Sequence, residues 1–246
     1  AGNIYFTAST DSKDIPSSGA LSPSGVGIQD GLVASFNPEL KNLRWASYIA
    51  GSDHDAALSL KTSKGQVYVA GITASSDLGT SFSGGFENQF LGNQDGFVLR
   101  MKASDGQINA FTYNGTSNRD RNFLLDLDDD TNVYVFGHSM GSYPVFGNNV
   151  FFQPNGNQFI HKFNPDLSQS IKSMIFGNMD STKTEVSPTA FMVDNCQNIY
   201  LSGYGRNGGS SSPQGLSNGL PITNNIDEVD GARSISDGQD FYFMVL

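Results

Sequence analysis

The sequence has little cysteine, little basic charge and no long apolar segment, and each shortage excludes a class of protein. Its one cysteine, Cys196, cannot form a disulfide within the chain, so a disulfide-stapled domain is excluded. Acidic residues number 24 against 14 basic ones, which gives a formal net charge of −10 at pH 7. An acidic surface without a Lys or Arg cluster repels phosphate backbones, so nucleic acid is not an expected partner. No apolar run reaches the ~18 to 20 residues that cross a bilayer, so no membrane span is expected.

The chain is instead built around a repeated motif of Asn or Gln, then Ile or Val, then Tyr. The middle residues of its copies are at positions 4, 67, 133 and 199, so successive copies are 63, 66 and 66 residues apart. Each copy opens a short apolar run, and the last three runs close on Gly71, Gly137 and Gly203. Self-similarity at a fixed period is the signature of a repeat architecture.

One repeat contains four short apolar runs with period-two alternation, which predicts strands rather than helices. Four antiparallel strands are the content of one β-propeller blade. The predicted fold class is therefore all-β: a β-propeller of four-stranded antiparallel blades with very little helix, about three blades complete and two partial. We expect residues 1–246 to be a single segment of a larger ring. The repeats lie at approximately 1–30 (partial), 31–76, 96–142, 159–204 and 239–246 (partial).

Residues 31–77 carry a recognisable succession of motifs. GLVASFNP at 31–38, ASYIAGSD at 46–53 and QVYVAGIT at 66–73 follow one another in the order of strand, strand with an Asp-containing loop, and final strand. This succession resembles the SBBP repeat, a β-propeller repeat of bacterial secreted and surface proteins. VDNCQNIYLSG at 193–203 is similar to segments of large Bacteroidetes proteins that are secreted or associated with gliding motility.

The resemblance implies a non-catalytic propeller module that serves as a structural scaffold or as a binding and adhesion surface. It also implies an extracellular or cell-surface location, on the exterior of the outer membrane, with type IX secretion. The partners would be other modules or subunits of a surface assembly, or polysaccharide. The alternative is a propeller enzyme acting on glycans, a lyase or hydrolase. That enzyme would need paired carboxylates, or a cluster of Tyr, His and Arg, converging at one end of the channel.

Residues 137–141 match the Gly-x-Ser-x-Gly nucleophile elbow of hydrolases, with Ser139 as the nucleophile. That motif works because a strand-to-helix turn exposes the serine. Here Pro144 follows early without a helical period, and Gly137 belongs to the repeat. The histidine downstream, His161, lies in a predicted strand. We therefore predict no catalytic residue and no enzyme activity.

Acidic residues recur after the second strand of each repeat, at Asp53, Asp55, Asp120 and Asp180. Oxygen ligands clustered in a loop can bind Ca²⁺. The spacing matches no dedicated calcium loop, and Asx-type turn capping accounts for acidic residues there as well. No cofactor is predicted, with these four residues as the candidates for a calcium site. The acidic run at 126–132 aligns with a hairpin turn in the other repeats.

The connections that follow the fourth strand of each repeat are the longest and least repetitive segments, at 72–96, 138–158 and 204–240. Loops tolerate variation whereas strands must pack, so we expect binding residues in these connections. Chain direction predicts that they gather on one face, where they either bind a ligand or cap the blades. The candidate ligand-binding residues are Phe86, Phe90, Tyr143, Phe151 and Asn207.

Overall fold

Every regular secondary-structure element in the described part of the chain is a β-strand. A computed structural model describes residues 2–15, 25–80, 82, 84–177, 186–205 and 241–246. These residues contain no helix, which confirms the predicted all-β fold, and accordingly no helix among them is long and apolar enough to cross a membrane. The strands are Ile4–Thr10 (β1), Asp30–Phe36 (β2), Leu43–Ile49 (β3), Asp55–Ser63 (β4), Gln66–Thr73 (β5), Asp95–Lys102 (β6), Ile108–Asn114 (β7), Asp120–Leu127 (β8), Val133–Ser139 (β9), Gln158–Phe163 (β10), Ser170–Phe176 (β11), Val186–Val193 (β12), Ile199–Gly205 (β13) and Phe241–Val245 (β14).

The strands form four antiparallel sheets in chain order. The first sheet contains β1, β2 and β3, the second β4 to β7, the third β8 to β11 and the fourth β12 to β14. Within each sheet, strands that are neighbours in sequence are also neighbours in space. The opening strand β1 is an edge strand of the first sheet and the closing strand β14 is an edge strand of the fourth, and the two strands do not pair with each other.

The sheets are out of phase with the sequence repeats by two strands. The repeat at 31–76 contains β2 to β5, but β2 and β3 belong to the first sheet whereas β4 and β5 begin the second. The expectation that the four strands of one repeat form one sheet is therefore corrected. The short connection 50–54 carries the chain to a new sheet, and the long connection 74–94 returns it to the same sheet. Loop length does not indicate which strands pair.

The repeat glycines lie opposite a β-bulge in three sheets. Gly71 pairs with Ala57, Gly137 with Asn122 and Gly203 with Pro188, and in each case the strand register shifts at the next residue. At Gly71, a Cβ atom would overlap the carbonyl oxygen of Ala56 and approach the Phe97 ring to 2.6 Å. The same arrangement recurs at Gly137 under the ring of Phe159. Backbone and aromatic packing therefore require glycine there.

The apolar core lies between consecutive sheets. Trp45 of the first sheet and Phe97 of the second belong to one buried cluster, and Val98 and Leu125 belong to a cluster between the second and third sheets. Phe191 of the fourth sheet packs against the third sheet in the same way. Burial of each large apolar side chain contributes about 1.5 to 3 kcal/mol. The sheets thus pack face to face in the order in which the chain forms them.

The long connections in the described part of the chain, between β5 and β6 and between β9 and β10, leave the sheets at one end. Each sheet is an antiparallel meander, so odd-numbered strands run towards this end and even-numbered strands run away from it. Parallel bridges join Gln29 to His54 and Gln94 to Arg119, which aligns the starts of β2, β4, β6 and β8. We call this the long-loop end. It carries the connections 50–54, 74–94, 115–119 and 140–157.

Candidate functional site

The long-loop end contains a polar cavity with a volume of about 880 Å³. Its walls come from the starts of β2, β4, β6 and β8 and from the ends of β5 and β9. Besides its apolar groups, it presents amide and charged side chains: Gln29, Asp53, His54, Asn93, Gln94, Asn118 and Arg119. The volume is in the range of small-molecule binding sites, and about half of the lining is apolar, with polar groups that converge on the cavity.

Two equivalent layers of the repeat build this cavity. In the first layer, the amide of Asp55 donates to the carbonyl of Gln29 at 2.7 Å. In the second layer, the amide of Asp120 donates to the carbonyl of Gln94, also at 2.7 Å. The residue before each aspartate receives a further bond, because Ala74 N donates to the carbonyl of His54 at 2.8 Å and Met140 N donates to the carbonyl of Arg119 at 2.9 Å. The cavity thus has two walls of the same backbone design and different side chains.

A buried aspartate opens each of the four strands that begin at the cavity. Asp30, Asp55, Asp95 and Asp120 are at most 1% exposed. Each carboxylate accepts a hydrogen bond from a backbone amide three or four residues earlier, which fixes the turn that precedes the strand. The bonds are Gly27 N to Asp30 at 3.1 Å, Gly51 N to Asp55 at 2.7 Å, Leu91 N to Asp95 at 2.7 Å and Thr116 N to Asp120 at 2.6 Å.

Burial changes the acidity of these groups. Burial raises the pKa of Asp55 and the pKa of Asp95 to about 6, although their hydrogen bonds lower both values. Repulsion adds to the rise, from Asp30 at Asp55 and from Asp120 at Asp95. The pKa of Asp120 is also raised by burial. A Cβ atom on Gly115 would lie 2.9 Å from Asp95 and 3.1 Å from Asp120, so these two carboxyl groups are close neighbours. They are nevertheless structural groups, because they are closed off from solvent.

The four calcium candidates do not come together. Asp53 lies on the cavity wall, Asp55 and Asp120 are buried in separate turns, and Asp180 lies outside the described residues. Both oxygens of Asp55 are occupied by Gly51 N and by the hydroxyls of two neighbouring residues. Within the described ranges, no group of three or more His, Cys, Asp and Glu residues is arranged to hold a metal ion. The acidic run at 126–132 comprises the end of β8 and the hairpin turn that leads to β9.

Two arginines share one acceptor at the second wall of the cavity: Arg119 lines the cavity, and Arg121 stands beside Arg119 and Gln94. Arg119 Nε donates to Gln94 Oε1 at 3.0 Å, and Arg121 Nε donates to the same oxygen at 2.8 Å. These residues were missed by the sequence reasoning. The signal that identifies them is a comparison of the two repeat layers: Asp53 and His54 in the first correspond to Asn118 and Arg119 in the second.

The residues predicted to bind a ligand take several different positions. Phe86 packs against Phe163 and neighbouring rings between the second and third sheets, and Phe90 packs on Tyr113. Tyr143 is buried and stacks on a ring of β10 at 3.8 Å between centroids. Phe151 is 45% exposed and does not line the cavity. Asn207 lies outside the described residues. The structure therefore brings none of the four described residues to the cavity.

Tyr143 belongs to a buried chain of hydrogen bonds between the second and third sheets. Asn122 Nδ2 donates to a backbone carbonyl of β6 at 3.0 Å, which leaves Asn122 Oδ1 to accept from Asn114 Nδ2 at 2.9 Å. Asn114 Oδ1 then accepts from the Tyr143 hydroxyl. That hydroxyl, in turn, accepts from His161 Nδ1 at 2.7 Å, and His161 Nε2 accepts from Ser170 at 2.7 Å. The chain requires a neutral His161 that carries its proton on Nδ1.

Ser139 forms a local turn at the end of β9. Its hydroxyl accepts from Gly141 N at 3.1 Å and donates to Gly141 O at 3.2 Å. The residues that follow, 140–157, contain no helix. His161 uses both ring nitrogens with Tyr143 and Ser170. The Gly-x-Ser-x-Gly match is therefore a product of the repeat glycine and a turn.

Comparison with known proteins assigns no family: no family model matches the chain, and no curated protein matches it. The chemistry of the cavity is therefore the basis on which a function can be proposed.

Proposed function

We propose that the chain is a segment of a β-propeller that acts as a non-catalytic binding module at the long-loop end. The observation that carries this proposal is the polar cavity of about 880 Å³, which is framed by repeated backbone and lined by side chains that differ between repeats. A repeat scaffold keeps the residues that pack and varies those that meet a ligand. The constant backbone and the varied side chains of the cavity both support the proposal.

Four-stranded meanders that pack face to face in chain order support the propeller assignment. The first strand of each later sheet contacts the sheet before it: β4 contacts β1 and β2, and β8 contacts β4 and β5. Val193 N of β12 also donates to Asp126 of β8 at 3.0 Å. Such contacts between the leading strands are expected where blades surround a common axis.

Binding is favoured over glycan cleavage by the position of the acids. A glycosidase needs two carboxyl groups that both reach the scissile bond. Of the cavity-lining acids, Asp53 is half-buried, whereas Asp55 is buried and its oxygens are occupied. The amide-rich lining supports a saccharide or another polar ligand, because amides both donate to and accept from hydroxyl groups. The resemblance to SBBP repeats supports a place on the cell surface, among the modules of a surface assembly.

Ala74→Phe tests the proposal, because Ala74 lines the cavity and the larger side chain would fill it. The matched control is Ser104→Phe, an exposed position on the hairpin between β6 and β7. We expect the unmodified chain to bind at least one saccharide class on a glycan array. The cavity variant should lose at least tenfold of that binding, and the control variant should retain it. Thermal melts of both variants verify folding. Binding that survives in Ala74→Phe, or no binding by the unmodified chain, would count against the proposal.

A further inference from the structure

Arg119 and Arg121 are two neighbouring cations without an acidic partner in the described ranges. The ion pairs found among these ranges all use lysine: Lys13 with Asp30, Lys61 with Asp126 and Lys162 with Asp128. The chain has 24 acidic residues and 14 basic ones, so acidic partners are abundant. Two arginines that meet at a neutral glutamine oxygen are therefore an exception to the charge pattern of the molecule.

The shared glutamine brings the two guanidinium groups together and fixes their orientation. The Nε atoms of Arg119 and Arg121 both donate a hydrogen bond to Gln94 Oε1, so the two Nε atoms lie within about 6 Å of each other. Burial and the charge of Arg119 lower the pKa of Arg121, which shows that the two groups repel each other. Each guanidinium has five N–H donors, and the bond to Gln94 uses one of them. An anion placed between the remaining donors would remove the repulsion and satisfy both groups.

Packing of the repeat does not require these arginines. In the first layer of the cavity, His54 stands where Arg119 stands in the second, and Ala56 stands where Arg121 stands. The buried aspartates that follow His54 and Arg119 are the same in both layers. The layers therefore share their structural residue and differ in the residues beside it. Backbone geometry does not require that difference.

We infer that Arg119 and Arg121, held by Gln94, bind the carboxylate of an acidic sugar in the cavity. This inference rests on the proposed function, because it names the ligand class of the same site. The forked guanidinium matches a planar carboxylate through paired hydrogen bonds. The amides of Asn93 and Asn118 on the same side of the cavity suit the hydroxyl groups of a sugar ring.

The charge of the whole chain selects among acidic ligands. With a net charge of −10, the protein repels densely charged polyanions such as nucleic acids. Asp53, on the wall formed by the first layer, adds a negative charge within the cavity itself. A ligand with an isolated carboxylate among neutral hydroxyl groups meets the arginines and avoids both repulsions. The expected ligand is thus a polysaccharide in which uronic acid residues are spaced by neutral sugars.

The test is a titration of the full 246-residue chain with sodium glucuronate, glucose and sodium sulfate, followed through the arginine Nε–H signals in NMR spectra. The variants are Arg119→Gln and Arg121→Gln. Arg44→Gln is the matched control, because it removes the same charge from β3, away from the cavity lining. We expect saturable glucuronate binding that shifts the Arg119 and Arg121 signals. Each site variant should weaken it at least fivefold, and the control should stay within twofold.

Four outcomes would overturn the inference. Equal binding of sulfate and glucuronate would show a general anion site without recognition of the sugar. Equal binding by the arginine variants and the unmodified chain would show that the arginines are not the site. Binding of neutral oligosaccharides that depends on Ala74 but not on the arginines would refute the acidic ligand while leaving the proposed function intact. If the unmodified chain binds no saccharide, neutral or acidic, both the inference and the proposed function would be refuted.

Discussion

Replacement of His161 by glutamine tests the buried hydrogen-bond chain between the second and third sheets. His161 is fully enclosed, stacks on Phe163 with 4.0 Å between ring centroids, and bonds Tyr143 and Ser170 through its two nitrogens. Burial lowers the pKa of His161 from 6.5 to about 3. The imidazole therefore stays neutral in the folded protein at pH values where it is protonated in the unfolded chain.

The sign of the effect follows from proton linkage. Between pH 6.5 and about 3 the unfolded state binds a proton at His161 that the folded state does not, so the free energy of unfolding falls as the pH is lowered. The loss is about 1.4 kcal/mol for each pH unit in this window. Relative to His161→Gln, which has no group that titrates at this position, the unmodified protein should lose about 3 kcal/mol between pH 7 and pH 4.5.

The assay is urea denaturation at pH 7.0, 5.5 and 4.5, followed by the fluorescence of Trp45, the single tryptophan and 1% exposed. The raised pKa values of Asp55 and Asp95 act in the opposite direction, because their contribution to stability declines as pH rises towards 6. Both proteins contain these carboxyl groups, so the difference between the two denaturation curves isolates His161. A difference that stays constant across the three pH values would mean that the imidazole protonates in the folded state, and would refute the assigned hydrogen-bond chain.

Three further predictions concern the repeated elements of the fold. Gly71→Ala should lower the free energy of unfolding by about 1 to 3 kcal/mol, because a Cβ atom there overlaps the carbonyl of Ala56 and the ring of Phe97; an unchanged urea midpoint would contradict this. The carboxyl carbon of Asp55 should titrate in NMR spectra with a midpoint near pH 6, and a midpoint near its ordinary 3.8 would show that the carboxyl group is solvated. Asp128→Ala should cost about 1 to 3 kcal/mol in the same urea assay, because it removes the ion pair and the hairpin hydrogen bonds of this buried carboxylate. A stability equal to that of the unmodified chain would show that this pair contributes nothing.

The sequence predicts the strand content because the signals it depends on are local. Alternation of apolar residues and turn residues between them mark most strands correctly. The predicted equivalence of Gly71, Gly137 and Gly203 is also correct, since each lies opposite a β-bulge. At Gly71 and Gly137, the partner strand and an aromatic ring also exclude a side chain. The strand partners could not be predicted in this way. Pairing depends on which edges meet in space, so the division of the repeat at 31–76 between two sheets could not be inferred from its period.

The candidate site was harder to predict because its residues come from distant parts of the chain. Gln29, Asp53, Gln94 and Arg119 meet at the cavity through bridges between strand starts, and no single loop contains them. The aromatic residues of the long connections, among them Phe86 and Tyr143, are predicted from the sequence to bind a ligand. Phe86 and Tyr143 instead pack against the sheets, because a long connection that runs over packed sheets needs apolar anchors of its own.

The alternation of side chains along a strand separates the structural residues from the ligand-facing residues. Successive residues of a strand point to opposite faces. At the start of β8, Asp120 and Asn122 face the second sheet, where a Cβ atom on Gly96 would contact Asn122 at 2.5 Å. Arg119 and Arg121 alternate with these two residues and bond Gln94 at the start of β6 instead of packing between the sheets. Packing therefore restricts one set of positions and leaves the other free to vary, which explains how two walls with the same backbone can carry opposite charges.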